Sequence, residues 1–205
     1  MSKPYCYTCI MNTEIEATFL EVDHSKLRQK LEVVGAQLVQ TETEMRRTIY
    51  DYPDLRLDKM AAWIRVRDEG GRITMGFKHR QAETLEGMKE IEFDVSSYDD
   101  AKQFMEAIGL TVKAEQESRR ETWEHDGCEI MLDTWPWIPP YVEVEGPSEV
   151  KVRALSEELG LDWDRAVFDS ADGIYQKYYD VTRTEISTIP IKFGDVPDEL
   201  AAKKI

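Results

Sequence analysis

Residues 14–19, which read Glu-Ile-Glu-Ala-Thr-Phe, open a pattern that the chain repeats and that decides its fold. Acidic–apolar–acidic triplets return at 90–92 and 143–145, and each triplet precedes a segment with apolar residues at helical spacing. Each of these segments stops at a glycine: Gly35, Gly109 or Gly160. Since glycine commonly ends helices, we predict a pseudo-repeat in which a strand is followed by a helix.

Alternating apolar and polar residues predict further strands between the repeats. Residues 63–67 and 73–80 flank the turn-forming pair Gly70-Gly71, which is typical of a hairpin. Residues 128–133 form another alternating segment. With about eight strands and three or four helices, the fold class is predicted to be α+β, built on a mainly antiparallel sheet.

The predicted helices carry apolar stripes that the strands must cover. The stripes consist of Leu27, Leu31 and Val34, of Phe104, Met105 and Ile108, and of Val152, Leu155 and Leu159. Because a strand alternates its side chains between two faces, covering these stripes leaves the charged strand faces on the opposite side of the sheet. If the sheet closes, it becomes a β-barrel, a tunnel lined by charge with the helices packed outside.

The charged faces carry both signs of charge. The predicted tunnel holds the six Glu of the three triplets, Asp133, Arg65, Arg67, Lys78 and Arg120. Crowded carboxylates need compensating cations or bound metal, and a polyphosphate with divalent ions matches both kinds of group. The alternative is an ordinary antiparallel sheet whose charged face is simply hydrated.

Composition excludes several classes of protein. The 205 residues contain 26 Lys and Arg against 41 Asp and Glu, a net charge of −15, which argues against nucleic-acid and membrane partners. We expect a cytoplasmic protein, and a homodimer is one assembly we consider.

Cys6 and Cys9 form a lone pair that we interpret as incidental reduced thiols. The three histidines are scattered, so the chemistry is expected to come from carboxylates, Lys and Arg.

Four parts of the sequence resemble the CYTH superfamily, the triphosphate tunnel metalloenzymes. They are residues 14–19, 50–55, 63–67 with 74–78, and 132–133 with 141–146. The likeness runs from about Glu14 to Tyr179. We therefore predict an N-terminal extension at 1–13, a tunnel domain at 14–181 and a tail at 182–205. The tail shows no clear periodicity, whereas 170–179 is predicted as a short helix.

The resemblance implies roles for individual side chains. Glu14, Glu16, Glu143 and Glu145 would hold Mg²⁺ or Mn²⁺. The phosphates of a triphosphate-bearing small molecule would be bound by Arg65, Arg67, Lys78 and Arg120, and we add Arg47 to this set as a further candidate. The groups that serve the chemical step would be Lys78, Arg120 and Asp133.

Two departures from the family pattern remove cations. Thr18 stands where the family has Lys, and Ser118 stands where another basic residue is often found. Each lost charge-assisted contact is worth about 1.5–3 kcal/mol, so a substitute is expected from Arg46, Arg47, Arg80 or Arg119.

The resemblance leaves three functions open. The first is metal-dependent hydrolysis of a triphosphate-containing compound, the second is a class IV-type adenylyl cyclase, and the third is a non-catalytic polyphosphate- or nucleotide-binding module. Aromatic residues at 135–141 either stack on an organic group at the tunnel mouth or form a rigid, packed connection.

Overall fold

The computed structural model describes residues 11–205, so the thiols predicted at Cys6 and Cys9 lie outside it. Nine antiparallel strands form one sheet in the order β1-β6-β5-β4-β3-β7-β8-β9-β2. The strands are β1 (Asn12–Glu14), β2 (Glu16–Leu20), β3 (Gln37–Asp51), β4 (Ala62–Asp68), β5 (Ile73–Arg80), β6 (Met88–Asp94), β7 (Thr111–His125), β8 (Cys128–Thr134) and β9 (Tyr141–Glu145). The two edge strands, β1 and β2, are separated in the chain by Ile15 alone, so the chain itself closes the barrel. The predicted α+β class and closed antiparallel barrel are confirmed.

Three helices follow the three acidic triplets, as the repeat predicts. They are α1 (His24–Val34), α2 (Tyr98–Ala107) and α3 (Glu149–Glu158). Each begins at a side-chain cap, since Asp23, Ser97 and Ser148 accept hydrogen bonds from the first backbone N–H groups. Gly35 ends α1 in the left-handed conformation, with φ 78°.

The helices pack on the outer, apolar face of the barrel. Leu27 and Leu31 of α1 join Val152 and Leu155 of α3 in one core with the apolar side chains of β2, β8 and β9. The stripe predicted for α2 is wrong at two positions: Phe104 and Ile108 are both 55% exposed. Instead, Tyr98, Ala101 and Met105 face the barrel, because only one side of this ten-residue helix meets the sheet.

The segment after Asp169 is more ordered than its sequence suggests. The helix predicted at 170–179 is short, α4 (Ala171–Tyr175), and α5 (Arg183–Thr188) and α6 (Asp198–Ala201) follow it. Ile186, Ile191 and Leu200 are buried in a second core with residues of the 135–141 loop. Ile191 also exchanges backbone hydrogen bonds with Glu115 and Glu117, so residue 191 extends the sheet beside β7. Across residues 11–205, no helix is both long and apolar enough to cross a membrane.

Candidate active site: a charged tunnel

A cavity of about 570 Å³ runs through the barrel. Its wall contains all six Glu of the acidic triplets, together with Arg47, Arg65, Arg67, Lys78 and Arg120. Asp133 lies behind this wall, with none of its surface exposed. The structure therefore brings together every site residue that the sequence predicts.

Strand register places the charges in facing rows. In the β4–β5–β6 ladder, Arg65 lies opposite Gly76, which lies opposite Glu92. A side chain at Gly76 would be tightly packed, because a Cβ at this position would lie 3.0 Å from the Ile91 carbonyl and 3.4 Å from Glu90 Oε1. Without that side chain, the Arg65 guanidinium reaches across β5 to Glu92 at 2.6 Å and Glu90 at 3.3 Å.

Lys78 and Glu14 form a second internal pair. Lys78 Nζ donates to both Glu14 carboxylate oxygens, at 2.7 and 2.9 Å. Burial alone would raise the pKa of Glu14, but the Lys78 ammonium lowers this pKa to about 2. Glu14 is therefore ionised.

Arg120 is the most strongly paired cation of the tunnel. It donates to the two oxygens of Asp133 at 3.0 and 2.6 Å, and to Glu143 at 2.5 Å. Because Asp133 uses both oxygens on one guanidinium, its carboxylate fixes the direction in which Arg120 points. Arg120 lines the cavity, and its guanidinium group is held in place there by Asp133.

The carboxylates away from these pairs are under-compensated. Glu16 and Glu145 lie directly opposite one another on β2 and β9. Burial and the Glu143 and Glu14 carboxylates raise the pKa of Glu16 well above its usual value. Burial and Glu14 likewise raise the pKa of Glu145 to about 7. At both positions, burial and repulsion between carboxylates outweigh the attraction of the Lys78 ammonium.

Arg47 has no carboxylate partner among the residues that the structure describes. It is 5% exposed, donates to Ser118 Oγ at 2.5 Å, and stacks with its Cζ 4.3 Å from the centre of the Trp135 ring. Burial and the neighbouring guanidinium groups of Arg67 and Arg65 lower its pKa. The buried Nε atoms of all three arginines have no hydrogen-bond partner among the described residues. Arg65 and Arg67 are paired with Glu92, so Arg47 is the one of the three whose guanidinium group has no carboxylate partner among the described residues.

The four candidate substitutes for the missing cations separate into two groups. Arg47 and Arg80 line the tunnel. Arg46 binds Asp68 with its side chain 62% exposed, and Arg119 stacks over Phe193 with 44% of its side chain exposed. Of these four arginines, Arg47 lines the cavity and has no carboxylate partner among the described residues. Arg80 also lines the cavity but is bound by Asp169.

Sequence reasoning missed the end of the tunnel built by the tail. Arg183 of α5 donates to both oxygens of Asp169, at 2.8 and 2.5 Å, and Asp169 also binds Arg80. Asp58 accepts from Lys113 and from Thr184 of α5. Nothing in the local sequence indicates these pairs, because each joins residues far apart in the chain.

The 135–141 loop is a packed connection. Trp135 and Tyr141 are buried, and the Tyr175 hydroxyl donates to the Pro136 carbonyl at 2.6 Å. Trp137 Nε1 donates to the Gly194 carbonyl at 3.0 Å. The loop thus anchors the tail, and two of its side chains line the tunnel: Trp135, beneath Arg47, and Tyr141.

The donor set fits a divalent ion of hard character. Crowded, under-compensated carboxylate oxygens are the ligands that Mg²⁺ and Mn²⁺ prefer, and Mg²⁺ typically takes one or two carboxylates plus substrate phosphates. Among residues 11–205, no three His, Cys, Asp or Glu side chains are already arranged around one ion position.

Solved structures with the same fold include two microbial proteins. The PH1012 protein from Pyrococcus horikoshii has a TM-score of 0.65 at 19% identity, covering 77% of this chain and 96% of its own. A protein from Vibrio parahaemolyticus, provisionally named an adenylate cyclase, has a TM-score of 0.71 at 14% identity, covering 81% and 99%. At these identities the likeness shows the fold alone.

A third structure comes from the plant Hippeastrum, a provisionally named adenylyl cyclase described with a dominant triphosphatase activity. Its TM-score is 0.57 at 13% identity, covering 80% of this chain and 95% of its own. No curated protein sequence matches the chain. The family model of the CYTH domain matches residues 12–178, which is more than half of the chain. The protein therefore belongs to the CYTH family.

Proposed function

We propose that this protein is a metal-dependent enzyme that hydrolyses a triphosphate-containing compound inside the tunnel. The observation that carries the proposal is the separation of unbalanced charge. Among the described residues, the buried Arg47 guanidinium has no carboxylate partner, whereas burial and neighbouring carboxylates raise the pKa of Glu16 and of Glu145. A ligand that neutralises both must carry several negative charges and arrive with cations, as a metal-bound triphosphate does.

The phosphate chain would lie against Arg47, Arg65, Arg67, Lys78 and Arg120. The Nε atoms of Arg47, Arg65 and Arg67 are buried without a hydrogen-bond partner among residues 11–205, so the protein does not fully satisfy these three guanidinium groups. Arg120, held by Asp133, would neutralise charge that develops on the transferred phosphoryl group. Lys78 would donate a hydrogen bond to the leaving oxygen. Asp133 contacts Arg120 through both oxygens, so we propose that it positions Arg120 and does not contact substrate.

The proposed metal ligands are Glu16 and Glu145, with Glu14 and Glu143 beside them. A bound Mg²⁺ or Mn²⁺ would neutralise phosphate oxygens and orient the attacking water. Glu16 and Glu145 lie opposite each other in the β2–β9 ladder, and both line the cavity. The strands hold both side chains, so little reorganisation is needed on binding.

Adenylyl cyclase activity is the second candidate. The provisional names of the Vibrio parahaemolyticus and Hippeastrum proteins favour it. The same cations would serve attack by a ribose hydroxyl in place of water. Cyclic AMP with pyrophosphate, in place of released phosphate, would identify this reaction.

The deciding experiment measures phosphate release from tripolyphosphate, ATP and thiamine triphosphate with Mg²⁺ or Mn²⁺. We expect turnover in the wild type and its loss in Glu145→Ala. Glu149→Ala, on the exposed first turn of α3, is the matched control and should keep full activity. Tight, metal-dependent binding with no turnover of any compound would instead support a binding module. The homodimer, the cytoplasmic location and the absence of nucleic-acid partners stay predictions.

A further inference from the structure

The cations and carboxylates that line the tunnel form ion pairs with one another. Lys78 uses two of its three N–H donors on Glu14 and lies 3.5 Å from Glu90. Arg65 and Arg67 both bind Glu92, and Arg120 binds Glu143. The side chains of Lys78 and Glu14 are only 14% and 13% exposed, so water competes weakly with their pair.

This pairing conflicts with both proposed ligands. A phosphate oxygen that receives a hydrogen bond from Lys78 competes with Glu14 for the same donors. A metal ion that uses both Glu14 oxygens competes with Lys78 for the same acceptors. A single ligand that takes these donors or acceptors breaks the pair and leaves one buried charge without a partner, which is costly. When both ligands bind, each released charge gains a new partner.

We propose that the Glu14–Lys78 pair makes metal and polyphosphate binding one coupled event. The proposal rests on the proposed function and adds to it a means of regulation. Lys78 weakens the binding of metal alone, and Glu14 weakens the binding of polyphosphate alone. By linkage, each ligand strengthens the other by the same factor, and coupling of this kind is typically about 5- to 150-fold. Without one ligand, the tunnel then has a lower affinity for the other.

The test measures each ligand separately, with no turnover required. Mn²⁺ binding without phosphate is followed by the electron paramagnetic resonance signal of free Mn²⁺. Tripolyphosphate binding in EDTA is followed by calorimetry. In Lys78→Gln, Mn²⁺ should bind at least about 5-fold more tightly, because Glu14 is released. In Glu14→Gln, metal-free tripolyphosphate should bind at least about 5-fold more tightly, because Lys78 is released.

Glu129→Gln separates pair release from the general field of the tunnel. Glu129 lines the same cavity and lies opposite Glu145, not opposite a cation. Removing its charge should strengthen tripolyphosphate binding less than Glu14→Gln does. If Lys78 only bound phosphate, Lys78→Gln would leave Mn²⁺ affinity unchanged. That result, or equal effects of the two Glu variants, would overturn the proposal.

The proposed function fails in a different way from this inference. If the wild type binds no tripolyphosphate with or without Mn²⁺, both fail together. If the wild type binds both ligands but Lys78→Gln does not bind Mn²⁺ more tightly and Glu14→Gln does not bind tripolyphosphate more tightly, only the coupling fails. Should Lys78→Gln not fold, Glu14→Gln against Glu129→Gln decides the question by calorimetry alone.

Discussion

Lys78 Nζ lies between the two carboxylate oxygens of Glu14, 2.7 Å from one and 2.9 Å from the other. Glu14 ends β1, and Lys78 lies on β5, so the pair crosses over β6, which separates the two strands in the sheet. The contact lies beside Ile15, where the chain closes the barrel. The same ion pair therefore lies at an edge strand of the barrel and lines the proposed site.

Arg47→Met should weaken substrate binding. Arg47 points into the cavity with an unpartnered Nε, and a charge-assisted contact is worth about 1.5–3 kcal/mol, or roughly 10- to 150-fold in affinity. Calorimetry with metal-bound tripolyphosphate measures this loss. Arg46→Met is the control, because Arg46 is the adjacent residue and binds Asp68 on the exposed outer side. Equal loss in both variants would exclude a direct role for Arg47.

Asp133→Asn should destabilise the protein by about 3–5 kcal/mol, because it leaves the buried Arg120 without its main counter-charge. The free energy of unfolding in urea measures this effect. Asp126→Asn breaks an ion pair with Lys151 in which both side chains are well exposed, and it should leave the unfolding midpoint almost unchanged. A stable Asp133→Asn protein would show that Glu143 alone compensates Arg120.

The ligand-free protein should lose stability as the pH rises from about 5 to 8. Burial raises the pKa of Glu145 and Glu143 to about 7, and burial with the hydrogen bond to Glu14 raises that of Glu90 to about 8. The folded state therefore binds more protons than the unfolded state across this range, so stability falls with rising pH. His24, whose pKa is lowered by burial, contributes the opposite slope near its unfolded pKa of about 6.5.

Glu145→Gln isolates the carboxylate contribution, because it leaves His24 intact. The melting temperature of this variant should exceed that of the wild type by an amount that grows between pH 5 and 8. A difference that is constant with pH would mean that the pKa of Glu145 is not raised.

Ile186→Ala should destabilise the protein by about 2–5 kcal/mol, because Ile186 of α5 is fully buried in the second core. Val150→Ala is the matched control on α3, where the side chain is 77% exposed. Chemical denaturation measures both variants. An Ile186→Ala protein as stable as the control would show that the tail does not belong to the cooperatively folded unit.

The sequence by itself determined the repeated units and the composition of the tunnel wall. These features depend on local rules: a strand alternates its faces every second residue, and a cap at Ser97 with a stop at Gly109 favours a helix between them. Parity alone therefore placed Arg65 and Arg67 with the acidic triplets on the inner face. The same rules could not distinguish a hydrated sheet from a closed tunnel.

Only the tertiary structure decided which charges meet and where the barrel ends. Lys78 pairs with Glu14 across 64 positions of sequence, and Arg183 reaches Asp169 because the tail packs on the 135–141 loop. Phe104 has an apolar side chain yet is exposed, since α2 contacts the sheet along one side only. Partners and burial at these positions depend on strand order and packing between distant segments, which local periodicity does not contain.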